Sequence, residues 1–434
     1  MRLIACLLAL LTAPALAQSD DYEGDWSGVL SAGAPLRLVL EVRGETAVLI
    51  SVDQSGARLP LEITQRDAEG FAGTIPSVGA ALDLNRTGND ELSGTFRQGG
   101  ATLPLSLYRG NAFEDGGDVA ADFIVMSGDV RLAGTLLLPE GDGPFPAILL
   151  LNGSGSQDRD ANVAGQPGFA VLADSLAERG IATLRMDDRG IGGSDAVAPD
   201  SPADLAVDAG AALSALREAD GIDNRCAGIL GHSEGGMIAF LAADSADPAF
   251  IISLAGMHMT MAETLYDQSE AIILVSGGTQ AQADQNRALQ DAIFAIMRDE
   301  TIEDHMAAMN AALVELGLPE AVAGQQATIW AQPYARAALD LDTASAMAAY
   351  EGPVHAFFAG MDLQVRGVAH ADRLIAARGD QPTEVTYLGG LNHLFQRALT
   401  GLPQEYASAP HAMAPEALAA IGEAAEALIN QACR

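Results

Sequence analysis

Apolar and polar positions alternate with a period of two through the first quarter of the chain. Leu36, Leu38, Leu40 and Val42 are separated by partly polar neighbours, Thr46 to Val52 is rich in β-branched residues, and Leu103 to Tyr108 closes the set. Turn-forming pieces recur between these runs: Arg43-Gly44-Glu45, Asp53-Gln54-Ser55-Gly56, Thr87-Gly88-Asn89-Asp90 and Gln98-Gly99-Gly100. Such a pattern predicts hairpin-linked strands, hence a small antiparallel sandwich or barrel over residues 18–112. Trp26 and Tyr22 are candidates for stacking on a glycan, but packing among the strands is the commoner fate of such rings and is the reading adopted. No cluster of histidines or carboxylates in this region suggests metal or acid–base chemistry.

Asn111 to Asp118 is polar and glycine-rich, as a linker would be, and the pattern then changes. Short apolar runs predict strands at Phe123–Met126, Val130–Leu138, Ala147–Leu151, Ala182–Arg185, Ala227–Leu230, Phe250–Leu254, Val354–Phe358 and Glu384–Leu388. Phe169–Arg179, Pro202–Glu218 and Pro415–Asn430 read as helices among and after them. Strands alternating with helices predict a mainly parallel, eight-stranded sheet covered on both faces over residues 113–434. The alternation breaks at about 257–350, where Ala281–Met297 and Ile302–Leu316 read as amphipathic helices, the second preceded by Thr301 and stopped by Gly317-Leu318-Pro319. An insertion of that length forms a helical cap over whatever site the sheet carries. Met257, Met259, Met261, Met297, Met306 and Met309 could give it a deformable lining, although helix packing is the more frequent use of methionine.

Composition narrows the possible partners. The 434 residues include 58 Asp and Glu against 23 Lys and Arg, a formal net charge of −35. That surface repels phosphate backbones, so nucleic-acid binding is not expected. Every one of the 23 is arginine, and the absence of lysine rules out a Ser–Lys dyad, a Schiff-base enzyme and a P-loop. Residues 1–17 have a basic start, an apolar run from Leu3 to Leu11 and Ala15-Leu16-Ala17, the form of a cleaved secretory signal. Leu3-Ile4-Ala5-Cys6 has the pattern of a lipoprotein box but lies too near the start for a hydrophobic region to precede it. Without a later run long enough to span a bilayer, an exported protein, periplasmic or secreted, is expected. Cys226 begins one predicted strand and Cys433 ends the last helix, both at the lower edge of the sheet; a disulfide and two free thiols are both open.

The candidate chemistry centres on Arg225 to Phe240. The strand Ala227–Leu230 meets Gly231-His232-Ser233-Glu234-Gly235, and Met237-Ile238-Ala239-Phe240 starts a helix. A strand turning into a helix over so few residues strains the middle one and lifts the Ser233 hydroxyl above the sheet, at a helix N-terminus that favours negative charge. A bland glycine turn is the competing reading, and the flanking strand and helix weigh against it. After the third sheet strand comes Asn152-Gly153-Ser154-Gly155-Ser156-Gln157-Asp158-Arg159-Asp160. The backbone N–H groups of Ser154 and Glu234 are the candidate oxyanion donors, because an attacked carbonyl needs two fixed donors as charge builds on oxygen. Asp158, Arg159 and Asp160 could ion-pair to brace that loop, and Asp187-Asp188-Arg189-Gly190 reads as a structural loop with Arg189 held by carboxylates.

Four motifs in order, Asn152 to Asp160, Asp188 to Ser194, Gly231 to Gly236 and Leu391-Asn392-His393-Leu394-Phe395, resemble the α/β-hydrolase superfamily. They are most similar to bacterial carboxylesterases related to serine aminopeptidase-like and acyl-thioesterase-like members. The resemblance covers residues 120–434 and departs at the oxyanion loop, where the family often has His-Gly and this chain has Asn152-Gly153. Because the donor there is backbone, activity should survive. The β-rich leader resembles domains sometimes joined to such esterases. In chain order the acid and then the histidine follow the serine. His393, in the loop after the last strand, is the only one of seven histidines so placed. Asp362, at the C-terminal end of the strand before, is the orienting carboxylate, and the resemblance points to it through Gly360-Met361-Asp362-Leu363-Gln364-Val365. A solvated loop histidine and a helix cap are the bland readings of these two. Asp340 and Asp342 precede the strand and are worse placed. The expectation is ester hydrolysis of a small molecule through an acyl-Ser233, without metal or organic cofactor. An (amino)peptidase or a thioesterase on the same three residues, and a non-catalytic binding protein, remain as alternatives.

Overall fold

The computed structural model describes residues 22–110 and 119–433, apart from 33, 45, 52–56, 68, 69 and 89. The expected signal over residues 1–17, the linker Asn111–Asp118 and the turn Asp53–Gly56 lie outside the described residues. The chain divides into two compact units, Met1–Phe113 and Glu114–Arg434.

The first unit is a closed barrel of eight strands in sequence order: β1 Gly24–Ala32, β2 Ala34–Arg43, β3 Thr46–Ser51, β4 Ala57–Arg66, β5 Phe71–Ile75, β6 Ala80–Arg86, β7 Glu91–Gln98 and β8 Ala101–Arg109. Each pairs antiparallel with the next, and β8 returns to β1 through Ser27 and Tyr108, which leaves no free sheet edge. The alternation read from sequence is the in–out pleat: Leu38, Leu40 and Val42 are buried, and Glu41 between the last two is not. Trp26 is fully buried, donates its indole N–H to Tyr22 O at 2.9 Å and lies under the Arg109 guanidinium at 4.2 Å. Tyr22 is also buried, so both rings pack and neither is free to stack on a glycan.

The second unit is a sheet of eight strands: β9 Val119–Ser127, β10 Val130–Leu138, β11 Phe145–Leu151, β14 Ala182–Met186, β15 Ile222–His232, β16 Ile251–Leu254, β17 Val354–Ala359 and β18 Thr383–Leu388. A two-residue hairpin, β12 Asn162–Val163 and β13 Gln166–Pro167, stands apart. The order across the sheet is β9-β10-β14-β11-β15-β16-β17-β18, with β10 antiparallel to both neighbours and the rest parallel. This is the α/β-hydrolase fold, as expected. The central strands are apolar without alternation because helices cover both faces; Ile251, Ile252, Ser253 and Leu254 are all completely buried. Helices α1 Gly168–Ala177, α2 Pro202–Glu218, α3 Glu234–Ala246, α10 Gly367–Arg378 and α11 Pro415–Ala432 supply that cover. A disulfide joins Cys226, the fifth residue of β15, to Cys433 after α11, with Cα atoms 5.3 Å apart, which decides the question the sequence left open.

The cap differs in detail from the expectation. Between β16 and β17 lie six helices, not two: α4 Met261–Val275, α5 Gln280–Arg298, α6 His305–Glu315, α7 Glu320–Trp330, α8 Pro333–Leu339 and α9 Ala344–Ala349. The helix expected from Ile302 starts at His305, capped by Asp304, because the Thr301 N–H and hydroxyl both bond Asp299 Oδ1 and close a turn first. Pro319, read as a stop, is also the N-cap of α7. The cap has its own core around Phe294, Met297, Met309 and Leu313, so these methionines pack, while Met306 lies on the surface.

Candidate active site

Parallel strands end at one rim of the sheet, and the residues singled out from sequence come from four of those ends. β15 stops at His232 and α3 starts at Glu234, leaving Ser233 alone in the turn with φ 55° and ψ −117°. A positive φ in a non-glycine residue is a strained conformation held by its surroundings. Here the Ser233 N–H donates to Leu254 O at 2.9 Å, and its carbonyl accepts from Gly236 and Met257, both at 3.0 Å. The turn closes only because its flanks lack side chains. A Cβ at Gly231 would lie 2.1 Å from Gly235 O, and one at Gly235 would lie 2.4 Å from Leu151 O.

Asp362 follows β17. Its Oδ1 accepts the backbone N–H groups of Gln364 (2.7 Å) and Val365 (2.9 Å), which fixes the carboxylate and leaves Oδ2 to accept from His393 Nδ1 at 2.8 Å. Both side chains are buried, so the pair is shielded from water. The loop carrying His393 is folded around Asn392, which is fully buried. Asn392 Oδ1 accepts from Leu394 N and Gln396 N, each at 3.0 Å, and its amide donates to Gln396 Oε1 at 3.0 Å. The Met361 N–H donates to Leu391 O at 2.8 Å, tying the Asp362 loop to the His393 loop. Ser233 Oγ and His393 Nε2 are not hydrogen-bonded in this structure; in ligand-free enzymes that contact often closes only with substrate in place. The His393 ring nevertheless lies against the residue next to the serine, 4.7 Å from the His232 ring between centroids.

The loop with the candidate oxyanion donor Ser154 follows β11 and packs against the turn: a Cβ on Gly153 would be 3.2 Å from Ser233 Cβ. The Ser154 amide has no backbone partner, and that of Glu234, first residue of α3, has no intrahelical acceptor, so both are available to a developing oxyanion. Asn152 Nδ2 reaches Asp158 O at 3.2 Å and Asp188 Oδ1 at 3.1 Å, and Gln157 Nε2 reaches Ser154 O at 3.1 Å. The charged residues of the loop brace it internally, Asp160 N donating to Asp158 Oδ1 at 3.1 Å, and also against its neighbours. Arg159 pairs with Asp187 at 2.6 Å, and Arg185 pairs with Asp160 at 2.5 Å. Burial works to raise the Asp187 carboxyl, but Arg159 and the N–H groups of Gly193 and Arg159 outweigh it and hold it below the usual range. Arg189 is held by Asp208 at 2.6 Å, a structural part as expected.

The other candidates fall elsewhere. Asp340 pairs with Arg298 and Asp342 with Arg373, away from His393. His355 stacks on Phe357 within the sheet, and His258 and His370 are buried together behind the site, pushed by burial down to about 3 and about 4. Among the described residues no group of histidine, cysteine or carboxylate side chains could hold a metal ion. A surface cavity of about 730 Å3 lies at the opposite strand edge, lined by Arg217, Asn224, Arg225 and Tyr350, and contains none of the groups just described. Sequence reasoning missed Asn392, Gln396 and the part played by His232. Only the proximity of Asn392 to His393 gave any signal of it.

Residues 167–281 match the family model described as serine aminopeptidase, S33. The esterase EstD of Thermotoga maritima is 30% identical over 143 residues, covering 32% of this chain and 33% of that protein. The chain thus matches about a third of the length of that curated relative. Among solved structures, an esterase of Pyrococcus furiosus aligns over 71% of this chain and 90% of its own, at 12% identity and a TM-score of 0.44. The proline iminopeptidase of Mycobacterium smegmatis aligns over 72% of this chain and all of its own, at 15% identity and a TM-score of 0.44.

Proposed function

We propose that this α/β-hydrolase-fold protein is a serine carboxylic-ester hydrolase working through Ser233, His393 and Asp362. The observation that carries the reading is the buried 2.8 Å contact of His393 Nδ1 with Asp362 Oδ2, beside a serine held at positive φ on a helix N-terminus. The esterase match and the family model support hydrolysis as the reaction class. Asp362 accepts the Nδ1 proton, which leaves Nε2 as the base. Nε2 takes the Ser233 proton as Oγ attacks the ester carbonyl, and the oxyanion is received by the N–H groups of Ser154 and Glu234. The intermediate collapses, the alcohol leaves with the proton from Nε2, and water repeats the sequence on the acyl-Ser233. The cap would select among small esters. The Cys226–Cys433 disulfide supports placement outside the reducing cytoplasm, periplasmic or secreted.

The test is turnover of short-chain aryl esters by purified protein and by Ser233→Ala, together with fluorophosphonate labelling. Wild type should turn over and label; Ser233→Ala should do neither. Equal rates from both proteins would end the assignment. Faster cleavage of an aminoacyl anilide or an acyl thioester than of the matching ester would move the reading to a peptidase or a thioesterase.

A further inference from the structure

Beside the nucleophile stands a group of polar side chains that the reaction above does not use. Glu234 is only 4% exposed, and its Oε1 has no hydrogen-bond partner. The hydroxyls of Tyr334, from α8 of the cap, and of Ser154, from the oxyanion loop, face this carboxyl. Tyr334 Oη is nonetheless buried and unpartnered, and so is Asn152 Oδ1 on the same loop. Asp188 closes the group: it accepts from Gln157 N at 2.8 Å and Asn152 Nδ2 at 3.1 Å, and lies close enough to Glu234 for like-charge repulsion. A cavity of about 70 Å3, lined by Asn152, Asp188 and Gly235 with Leu132, Leu205 and Ile238, touches the group at Asn152 and Asp188 but not at Glu234 or Tyr334.

A buried polar atom left unpaired costs roughly 1–3 kcal/mol, so three of them in one place call for a partner. The carboxylate and amide oxygens can only accept, and the phenol, which can donate to Glu234, can accept a further bond; the group is short of donors, so its complement is a donor and not a carboxylate or a phosphate. Burial holds both acids above the usual range, Asp188 up to about 6, and a bound donor would relieve that. The position of the group says which end of the substrate it serves. The alcohol must leave beside His393, whose partners are Asp362 and His232. The Glu234 group shares neither and is built on the residues of both candidate oxyanion donors, which points to the acyl part near the carbonyl as the end it would meet.

We propose that Glu234, Tyr334 and Asn152 form a recess selecting an acyl group that carries a hydrogen-bond donor near the carbonyl, hydroxyl or ammonium, over a plain alkyl chain. The inference rests on the acyl-Ser233 reading. It is tested on the full chain with matched aryl esters of butanoic, 3-hydroxybutanoic and 3-aminobutanoic acid, each kcat/KM divided by the uncatalysed rate of that ester. At least one donor-bearing ester should be favoured by about tenfold or more. Glu234→Ala should abolish the advantage of both. Glu234→Gln keeps an acceptor but loses the charge, so it should abolish an ammonium advantage and spare a hydroxyl one. Tyr334→Phe, a cap variant that removes a single oxygen, should cut the advantage several-fold and guards against a folding defect at Glu234. Wild-type turnover of the butanoate that equals or exceeds that of both other esters overturns the recess and leaves the esterase reading standing. No Ser233-dependent turnover of any of the three overturns both.

Discussion

His232 donates its Nε2–H to the backbone carbonyl of His393 at 2.9 Å. The carbonyl can only accept, so the nitrogen carries the proton, and burial pushes the His232 imidazole down to about 3, which keeps it neutral. One side chain therefore links the His393 loop to the turn that carries Ser233, and its Nδ1 lies against Gly153 of the loop after β11.

This relationship predicts the behaviour of His232→Ala. Losing the tether should let the His393 loop drift, and a misplacement of about 1 Å can cost a factor of about a hundred. We expect kcat to fall by about ten- to a hundredfold with KM changed less than about threefold. His232→Gln, whose amide can donate to the same carbonyl, should restore part of the loss. Steady-state kinetics on one aryl ester decides it: equal losses in the two variants would mean that the ring packs and does not position.

Asp362→Asn tests the carboxylate. An amide at this position cannot both keep its contacts with Gln364 N and Val365 N and accept from His393 Nδ1 as the carboxylate does. The wrong tautomer then leaves Nε2 protonated, and kcat should drop by about three to four orders of magnitude. A loss of less than about tenfold, in a protein that melts like wild type, would remove Asp362 from the mechanism.

Stability should depend on pH through the buried histidines. His232, His258 and His370 are pushed down to about 3, 3 and 4, so below the ordinary histidine range the unfolded chain takes up protons that the folded one refuses. Their stabilisation is present near neutrality and is lost as pH falls. Asp188, raised to about 6, works the other way between there and the usual carboxylate range, because its folded form holds a proton that the unfolded one lacks. Glu234, raised by burial, acts in the same sense as Asp188, and His355, lowered by burial, acts with the other histidines; the net is a fall on the order of 1–3 kcal/mol per pH unit near pH 5. Urea midpoints for the second unit between about pH 6.5 and 5 should show the decline, and a flat profile would contradict it.

The disulfide predicts a redox-dependent melting temperature without a change in chemistry. Cys226 and Cys433 are 207 residues apart in sequence, and a loop of that length gives a stabilisation of about 5.4 kcal/mol in the chain-entropy model. Cys226 precedes Ser233 by seven strand residues, about 23 Å, so turnover at room temperature should not follow the thiols. Dithiothreitol should lower the melting temperature of wild type and leave Cys226→Ala/Cys433→Ala unmoved. An unchanged wild type under reduction would mean that the bridge contributes nothing.

All eight strands of the second unit's main sheet were legible in the chain, and so were Ser233, Asp362 and His393 as candidates, because both kinds of signal are local. A buried parallel strand is written as an apolar run, and a nucleophile turn needs its glycines adjacent in sequence. The closed barrel was legible as alternation, but closure was not: the pairing of Ser27 with Tyr108 joins the ends of the unit, and no local pattern encodes it. The same holds at the site. The sequence offered His393 and Asp362 as isolated residues in loops, but their 2.8 Å contact exists only because β17 and β18 are neighbours in register. The cap was half legible, since alanine-rich helices carry weak apolar stripes and Pro319 ends one element while capping the next. What faces Glu234 was beyond reach, because Tyr334 comes from a helix a hundred residues away and their approach is a product of packing between elements. Local chemistry chose the elements and the candidate side chains; long-range packing chose their partners.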